Sequence, residues 1–474
     1  HDIGYNRTLS MMDSIKSRIH RRVNLDNIRL RRMVYRSNYP ELRFKNIIID
    51  GANTQQQAYI KKEFHKSDNK EFSYEDLKQG YFRLLSDNMI SEIIPHAIYN
   101  PEDDTYDLHL KVKLENNFAV RLGGNISTSN SNQIYLGLSY QDLNYYAKEF
   151  VFDGQLGKVY NNAQFMAKID FSTAIPTSYR FIASISTFDY FKKDKLFSRN
   201  DKPAFNQKDE RFLKLQVGLP FLSSKRAEFG IGIARIEDKY FQKSVIDFGN
   251  DKFDKSRYDL FGGSISFNGS TLNSRQYPTR GYREALIAQI FIGRERFYPG
   301  EGATGNNNKE HHSWLQLSYM KEKYHNMSEH WVLGWYLKAL YASKNFSENY
   351  TATMMQAGEF SPTQHSKLTY NEAFRANQFV GAGIRPIYRL NQMFHLRGEF
   401  YGFMPIYPIE RNSLNKAYYG KAFSKFEYLG EISVVCQLPF GDISAYVNHY
   451  SSPKREWNVG LSIGWQLFNY RFIE

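Results

Sequence analysis

From Glu456 to Leu467 the chain alternates without a break. Trp457, Val459, Leu461, Ile463, Trp465 and Leu467 fall on one face, and Glu456, Asn458, Gly460, Ser462, Gly464 and Gln466 on the other. Successive side chains of an extended strand point to opposite sides, so this pattern predicts a strand with an apolar and a polar face. A tryptophan near each end of the apolar face matches the two interfaces of a bilayer. The same alternation runs through Asn377–Tyr388, where Asn377, Phe379, Gly381, Gly383 and Arg385 oppose Val380, Ala382, Ile384, Pro386 and Tyr388. Strands of this kind suit a wall between lipid and a wet interior. Among 474 residues with a mean hydropathy of -0.58, no apolar run is long enough for a membrane helix. The 35 Tyr and 36 Phe instead fit the aromatic girdles of a membrane barrel.

Applied from Phe118 to the end, the rule lays down about sixteen strands, beginning near 118, 132, 146, 162, 178, 209, 225, 256, 281, 311, 330, 376, 393, 424, 440 and 454. The expected fold is an all-β membrane protein, a sixteen-stranded antiparallel transmembrane β-barrel. Connections after even-numbered strands are short and those after most odd-numbered ones long, which places both barrel ends on the short-turn side. Ahead of the barrel, residues 41–115 read as strand Leu42–Ile49, turn Asp50–Asn53, helices Thr54–Phe64 and Tyr74–Leu85 with Ser73 as cap, then strands Ile93–Tyr99 and Tyr106–Lys113. Residues 1–40 read as a basic helical linker: a helix from Thr8 or Ser10 to about Arg22, then a helical or extended stretch Leu25–Arg36. Residues 1–45 hold eleven Lys/Arg against four Asp/Glu, more than half of the net charge of +13. That excess points to anionic lipid headgroups or an acidic protein partner, and no basic-aromatic motif for nucleic acid accompanies it. The chain starts at His1 with no signal peptide, the expected sign of a piece of a longer product.

The connection at about 343–375 is far longer than a hairpin needs and ends in Phe374-Arg-Ala-Asn-Gln-Phe379. The strand-helix-helix-strand-strand order of residues 41–115 resembles a POTRA domain. The loop-tip sequence resembles the V-R-G-F/Y motif on the inward-folded sixth loop of the outer-membrane assembly and two-partner secretion (BamA/TpsB-like) superfamily, and Tyr277-Pro278-Thr279-Arg280-Gly281 is similar to its P-T-R-G turn. Arg375 matches that family's arginine, with Ala376 in place of the usual glycine. Within the superfamily, the loop tip and Gly4-Tyr-Asn-Arg-Thr-Leu-Ser-Met-Met-Asp13 look most like the POTRA-plus-barrel portion of Bacteroidetes-type patatin-like phospholipases. The resemblance implies a bacterial outer-membrane location with the POTRA domain in the periplasm. It also implies a patatin-like hydrolase upstream of His1, which the barrel would anchor and pass outward. A stand-alone assembly or two-partner-secretion transporter is the rival reading. Homodimerisation stays open, and no cofactor is called for.

Catalytic signatures inside the chain are read as coincidences. Gly460-Leu-Ser-Ile-Gly464 fits G-x-S-x-G, but Ser462 lies within a strand and not at a strand-to-helix elbow. Asp50-Gly-Ala52 fits a patatin Asp motif, but belongs to the turn of another domain. His311-His312 would face opposite sides of a strand, with no carboxylate spaced to join them, so no metal site is expected. Lone Cys436 reads as a packing residue. On the strand Met393–Met404, His395, Arg397, Glu399 and Tyr401 face inward, and Glu399 is the expected lumen partner of Arg375.

Overall fold

The computed structural model describes residues 2–19, 24–37, 41–64, 71–129, 131–172, 175–190, 206–222, 225–242, 252–300, 307–452, 457–468 and 470–474. They divide into two units, residues 1–115 and 116–474.

The first unit opens with helices α1 (Asp2–Ser10), α2 (Met12–Arg18) and α3 (Leu25–Ser37). Thr8 and Ser10 do not start the first helix as expected. Their hydroxyls donate back to Gly4 O and Arg7 O (both 2.8 Å), a bond made from inside a turn and not from an N-cap. The expected end at Arg22 lies outside the described residues. There follow β1 (Arg43–Asp50), α4 (Thr54–Phe64), β2 (Phe72–Ser73), α5 (Tyr74–Leu85), β3 (Ile90–Asn100) and β4 (Thr105–Leu114). Ser73 and Asp76 form a reciprocal capping box on α5. Between β1 and β4 the chain crosses through both helices, which lets these strands pair in parallel in a sheet ordered β2-β1-β4-β3. Phe44, Ile60, Phe64, Leu84 and Leu108 are buried between sheet and helices. This is a small α+β fold with the expected order of strands and helices and a short β2 added between the helices.

The second unit is a closed antiparallel barrel of sixteen strands. The first eleven are β5 (Phe118–Ser127), β6 (Gln133–Leu143), β7 (Ala147–Gly157), β8 (Tyr160–Phe171), β9 (Thr177–Tyr190), β10 (Asn206–Phe221), β11 (Lys225–Tyr240), β12 (Asp254–Ser270), β13 (Gly281–Tyr298), β14 (Asn308–Asn326) and β15 (Trp331–Ala342). A long inward excursion carries α6 (Tyr350–Gln356), β16 (Gly358–Glu359) and β17 (Arg375–Ala376). The wall resumes with β18 (Gln378–Arg389) and β19 (Phe394–Pro405). A small hairpin of β20 (Ile409–Arg411) and β21 (Ala417–Tyr419) follows, then β22 (Glu427–Leu438), β23 (Gly441–Tyr450) and β24 (Trp457–Gly464).

Polarity is inverted relative to a water-soluble barrel. Leu122, Ile126, Ile134 and Leu156 are each more than 70% exposed on the outside, while Arg397, Glu399, Glu431 and Asp238 are buried within. At roughly 25 cal/mol per Å² of apolar surface, such an exterior is stable only against lipid. The seam that closes the barrel differs from the other junctions. β24 meets β5 over three residues, Ser462↔Ser127, Ile463↔Ile126 and Gly464↔Asn125, whereas the other junctions run eight or more. The expected strand through Leu467 stops at Gly464 (φ +112°), where a Cβ would come within 2.2 Å of Gly124 O. Trp465 N still donates to Gly124 O (2.7 Å), but Gln466 is buried and the chain turns into the lumen.

Candidate functional site: a pinned plug inside the barrel

Residues 343–377 leave the wall and pack into the lumen. Asn349 caps α6 by accepting from Ala352 N, and Thr351 through Met355 are buried. Phe360 lies over Gly381, where a Cβ would come within 2.2 Å of its ring, and stacks against Phe403 at 5.6 Å. Phe374 reaches Phe403 and Tyr450, and Phe379 reaches Phe360 and Phe403, so the two aromatics of the tip motif fix the base of the plug. Asn377 donates to Lys344 O and Tyr419 Oη. Gln378 begins β18, and its carbonyl accepts from Ile406 N at 2.8 Å.

Arg375 is buried, and its partner is not Glu399. Its Nη2 meets Glu359 Oε2 at 2.9 Å, its Nη1 donates to Met355 O and Ala357 O, and its guanidinium lies 4.7 Å from the Tyr370 ring. The reason is local. β16 and β17 pair antiparallel, Gly358 with Ala376 and Glu359 with Arg375, so the arginine faces its acid directly across the ladder. This extended pairing also accommodates Ala376, because no positive φ is required there.

Glu399 serves a different network. Arg397 Nε and Tyr401 Oη both donate to it, and Arg385 Nε lies 3.6 Å away. Arg385 also bonds Glu322 and, through Nε, Tyr401 Oη (2.6 Å). Tyr324 Oη accepts from Arg397 Nη2 at 3.0 Å. Two arginines and two glutamates thus balance in charge, and all four are buried. Each arginine spends one further N–H outside the cluster. Arg385 Nη2 donates to Pro362 O of the plug (3.2 Å), and Arg397 Nη1 donates to Pro278 O of the turn between β12 and β13 (2.8 Å). One ion cluster therefore grips both inserted loops. In that turn, Asn273 Oδ1 accepts from Thr279 N and Arg280 N, and Gly281 has φ +90° with Thr271 O 2.1 Å from where a Cβ would stand. Only glycine fits there without a backbone shift.

Sequence alternation put Arg385, Arg397 and Tyr401 on the inner face but assigned them no task. Glu322 and Tyr324 on β14 were missed, because their meeting with β18 depends on barrel closure and not on local spacing. Ser462 lies within β24 and donates to Asn125 Oδ1 at 2.6 Å, while Asp50 belongs to the other unit. His312 corrects the expectation that no carboxylate joins it. Its Nε2 is 2.9 Å from Glu295 Oε2 and 4.0 Å from Glu310 Oε2, because Glu295 lies on the adjacent β13. Glu295 Oε1 is occupied as well, accepting from Tyr258 Oη.

No protein-family model matches the chain, and no curated protein matches it in sequence. Solved structures do. BamA from Haemophilus ducreyi lacking POTRA domains 1-3 superimposes with a TM-score of 0.60 at 12% identity, covering 89% of this chain and 84% of that one. CdiB from Acinetobacter baumannii (TM-score 0.51, 9% identity, 90% and 74% covered) and CdiB from Escherichia coli (0.51, 10%, 90% and 76%) are also similar. The sixteen-stranded barrel with its preceding α+β unit therefore has the fold of the BamA- and CdiB-type barrels.

Proposed function

We propose that this chain is a bacterial outer-membrane barrel that handles polypeptide at its β24/β5 seam. In this reading residues 41–115 form a periplasmic POTRA domain, and the barrel anchors and passes outward a patatin-like lipid hydrolase joined on its N-terminal side. The observation that carries it is the contrast between a lumen filled by residues 343–377 and a wall closed over three residues. A polypeptide then has a weaker barrier at the seam than through the plug. The fold shared with BamA and CdiB supports polypeptide handling. The patatin-like partner rests on the resemblance of Phe374–Phe379 and Gly4–Asp13. A stand-alone assembly or two-partner-secretion transporter would use the same seam, and it differs in its client.

Ser127 and Ser462 face each other across the seam. The pair Ser127→Cys and Ser462→Cys, in a Cys436→Ser background, would lock it on oxidation. In the anchor reading, the lock removes the cis hydrolase domain from the cell surface, as read by protease accessibility on whole cells. In the transporter reading it depletes other exported or outer-membrane proteins. Unchanged levels of both would reject polypeptide handling at the seam.

A further inference from the structure

Beyond Gly464 the chain does not simply dangle in the lumen. Its backbone is held by glutamine side chains in two-point contacts. Gln276 Nε2 donates to Gly464 O (3.3 Å) while its Oε1 accepts from Gln466 N (2.6 Å). Gln133 does the same for the carbonyl and N–H of Leu467 (3.3 and 3.0 Å). Gln289 donates to Phe472 O (3.1 Å) and accepts from Glu474 N (3.0 Å). Glu210 Oε1 accepts from Phe472 N (2.5 Å), and Gln316 Nε2 donates to Glu474 O (2.6 Å). All five of these wall and turn side chains are buried.

A primary amide presents one donor and one acceptor side by side, as the edge of a β-strand does. Contacts of this type read backbone N–H and C=O groups without regard to side chains. Side chains add selection: Phe468 lies 5.7 Å from the Tyr160 ring, Arg471 lies 4.7 Å from the Phe188 ring and 3.8 Å from Glu359 Oε2, and Phe472 and Glu474 meet a pocket and a charge. Phe472, 3% exposed, packs against Phe212 and Phe291 at 5.9 and 5.7 Å. The room for its ring exists because Gly232 and Gly262 lack side chains, since Cβ atoms there would come within 2.9 and 3.1 Å of it. Lys214 Nζ lies 3.2 Å from Glu474 Oε1.

The segment also has a second place to go. On the seam side, the β5 ladder covers Asn125–Ser127, flanked by single bonds from Thr128 N to Leu461 O (3.0 Å) and from Trp465 N to Gly124 O (2.7 Å). Continuing that register by seven residues brings Arg471 opposite Phe118, the first residue of β5. The lumen contacts therefore compete with the edge of β5 from Phe118 to Gly123, which has no ladder partner on the seam side among the described residues.

We propose that this inner-wall track is a peptide-binding site that the chain's own residues 465–468 and 470–474 fill in cis. Its ligand class is a polypeptide with an aromatic residue two positions before an acidic one. The inference goes beyond the functional reading above and holds whatever client the barrel serves. The probe is a fluorescein-labelled decapeptide with the sequence of residues 465–474, and fluorescence anisotropy follows its binding to the full chain in detergent. Phe472→Ala empties the pocket and should bind the peptide at least tenfold tighter than the unsubstituted protein, with folding checked by heat-modifiable migration. Adding Gln289→Leu should cost at least fivefold, as should alanine in the peptide at the position of Phe472. On the unsubstituted protein, saturating peptide should speed hydrogen exchange at the amides of Phe472 and Glu474. If Phe472→Ala shows no gain, if the alanine peptide binds equally well, or if saturating peptide leaves exchange unchanged, residues 465–474 are a fixed part of the wall and the proposal fails.

Discussion

Arg385 and Arg397 hold the plug by a mechanism that substitutions can separate. Each is buried, so losing one leaves a glutamate without its compensating charge, which typically costs about 3 to 5 kcal/mol. Arg385→Ala should lower barrel stability by that amount in detergent unfolding and raise single-channel conductance, because the bond to Pro362 O goes with it. Arg385→Lys should restore only part of the loss, since one ammonium cannot bond Glu322, Tyr401 and Pro362 from the positions of a planar fork. A double-mutant cycle should give about 1 kcal/mol or more of coupling for Arg375 with Glu359. Arg375 with Glu399 should stay within roughly 0.5 kcal/mol of additivity. The sequence made both glutamates available but could not rank them. The inward face of the thirteenth strand was legible at Glu399 from its alternation. Glu359 becomes the partner only through a two-residue ladder inside the loop, which leaves no periodic trace.

At the level of elements, most of what the alternation predicted is present. α4 and α5 begin and end as expected, and the barrel strands start within a few residues of their predicted positions. Their signals are local: a capping serine, an apolar period, a turn of Asn, Asp or Gly. The last strand was over-extended because Trp465 and Leu467 continue the pattern of period two. Alternation records which face a residue would take, not whether a neighbour is there to pair with. The backbone at Gly464 decides otherwise. The turn before β13 gives a direct check on backbone demands. Gly281→Ala should destabilise the barrel by roughly 1 to 3 kcal/mol, measured as a lower midpoint of heat-modifiable migration, because φ +90° and the nearby Thr271 carbonyl both exclude a side chain. Gly263→Ala, which would meet only Ile290 at 3.4 Å, should shift that midpoint little.

For the whole molecule, the division between residues 1–115 and 116–474 predicts that mild proteolysis in detergent leaves a resistant barrel beginning near Phe118. A resistant fragment retaining the helices of residues 2–37 would contradict it. The wall itself is uneven in height. β10 to β14 run 16 to 19 residues, whereas β5, which flanks the seam, and β23, one strand in on the other side, run 10 each. At about 3.4 Å per residue and a tilt of about 40°, the ten residues of β5 span roughly 26 Å of membrane normal. That falls short of a hydrocarbon layer about 30 Å thick. Lipids beside the seam must then shorten or tilt to meet it, at a cost that rises with acyl length. The bilayer becomes a working part of the closure, and vesicles of longer-chain phosphatidylcholine should strain this side of the barrel first.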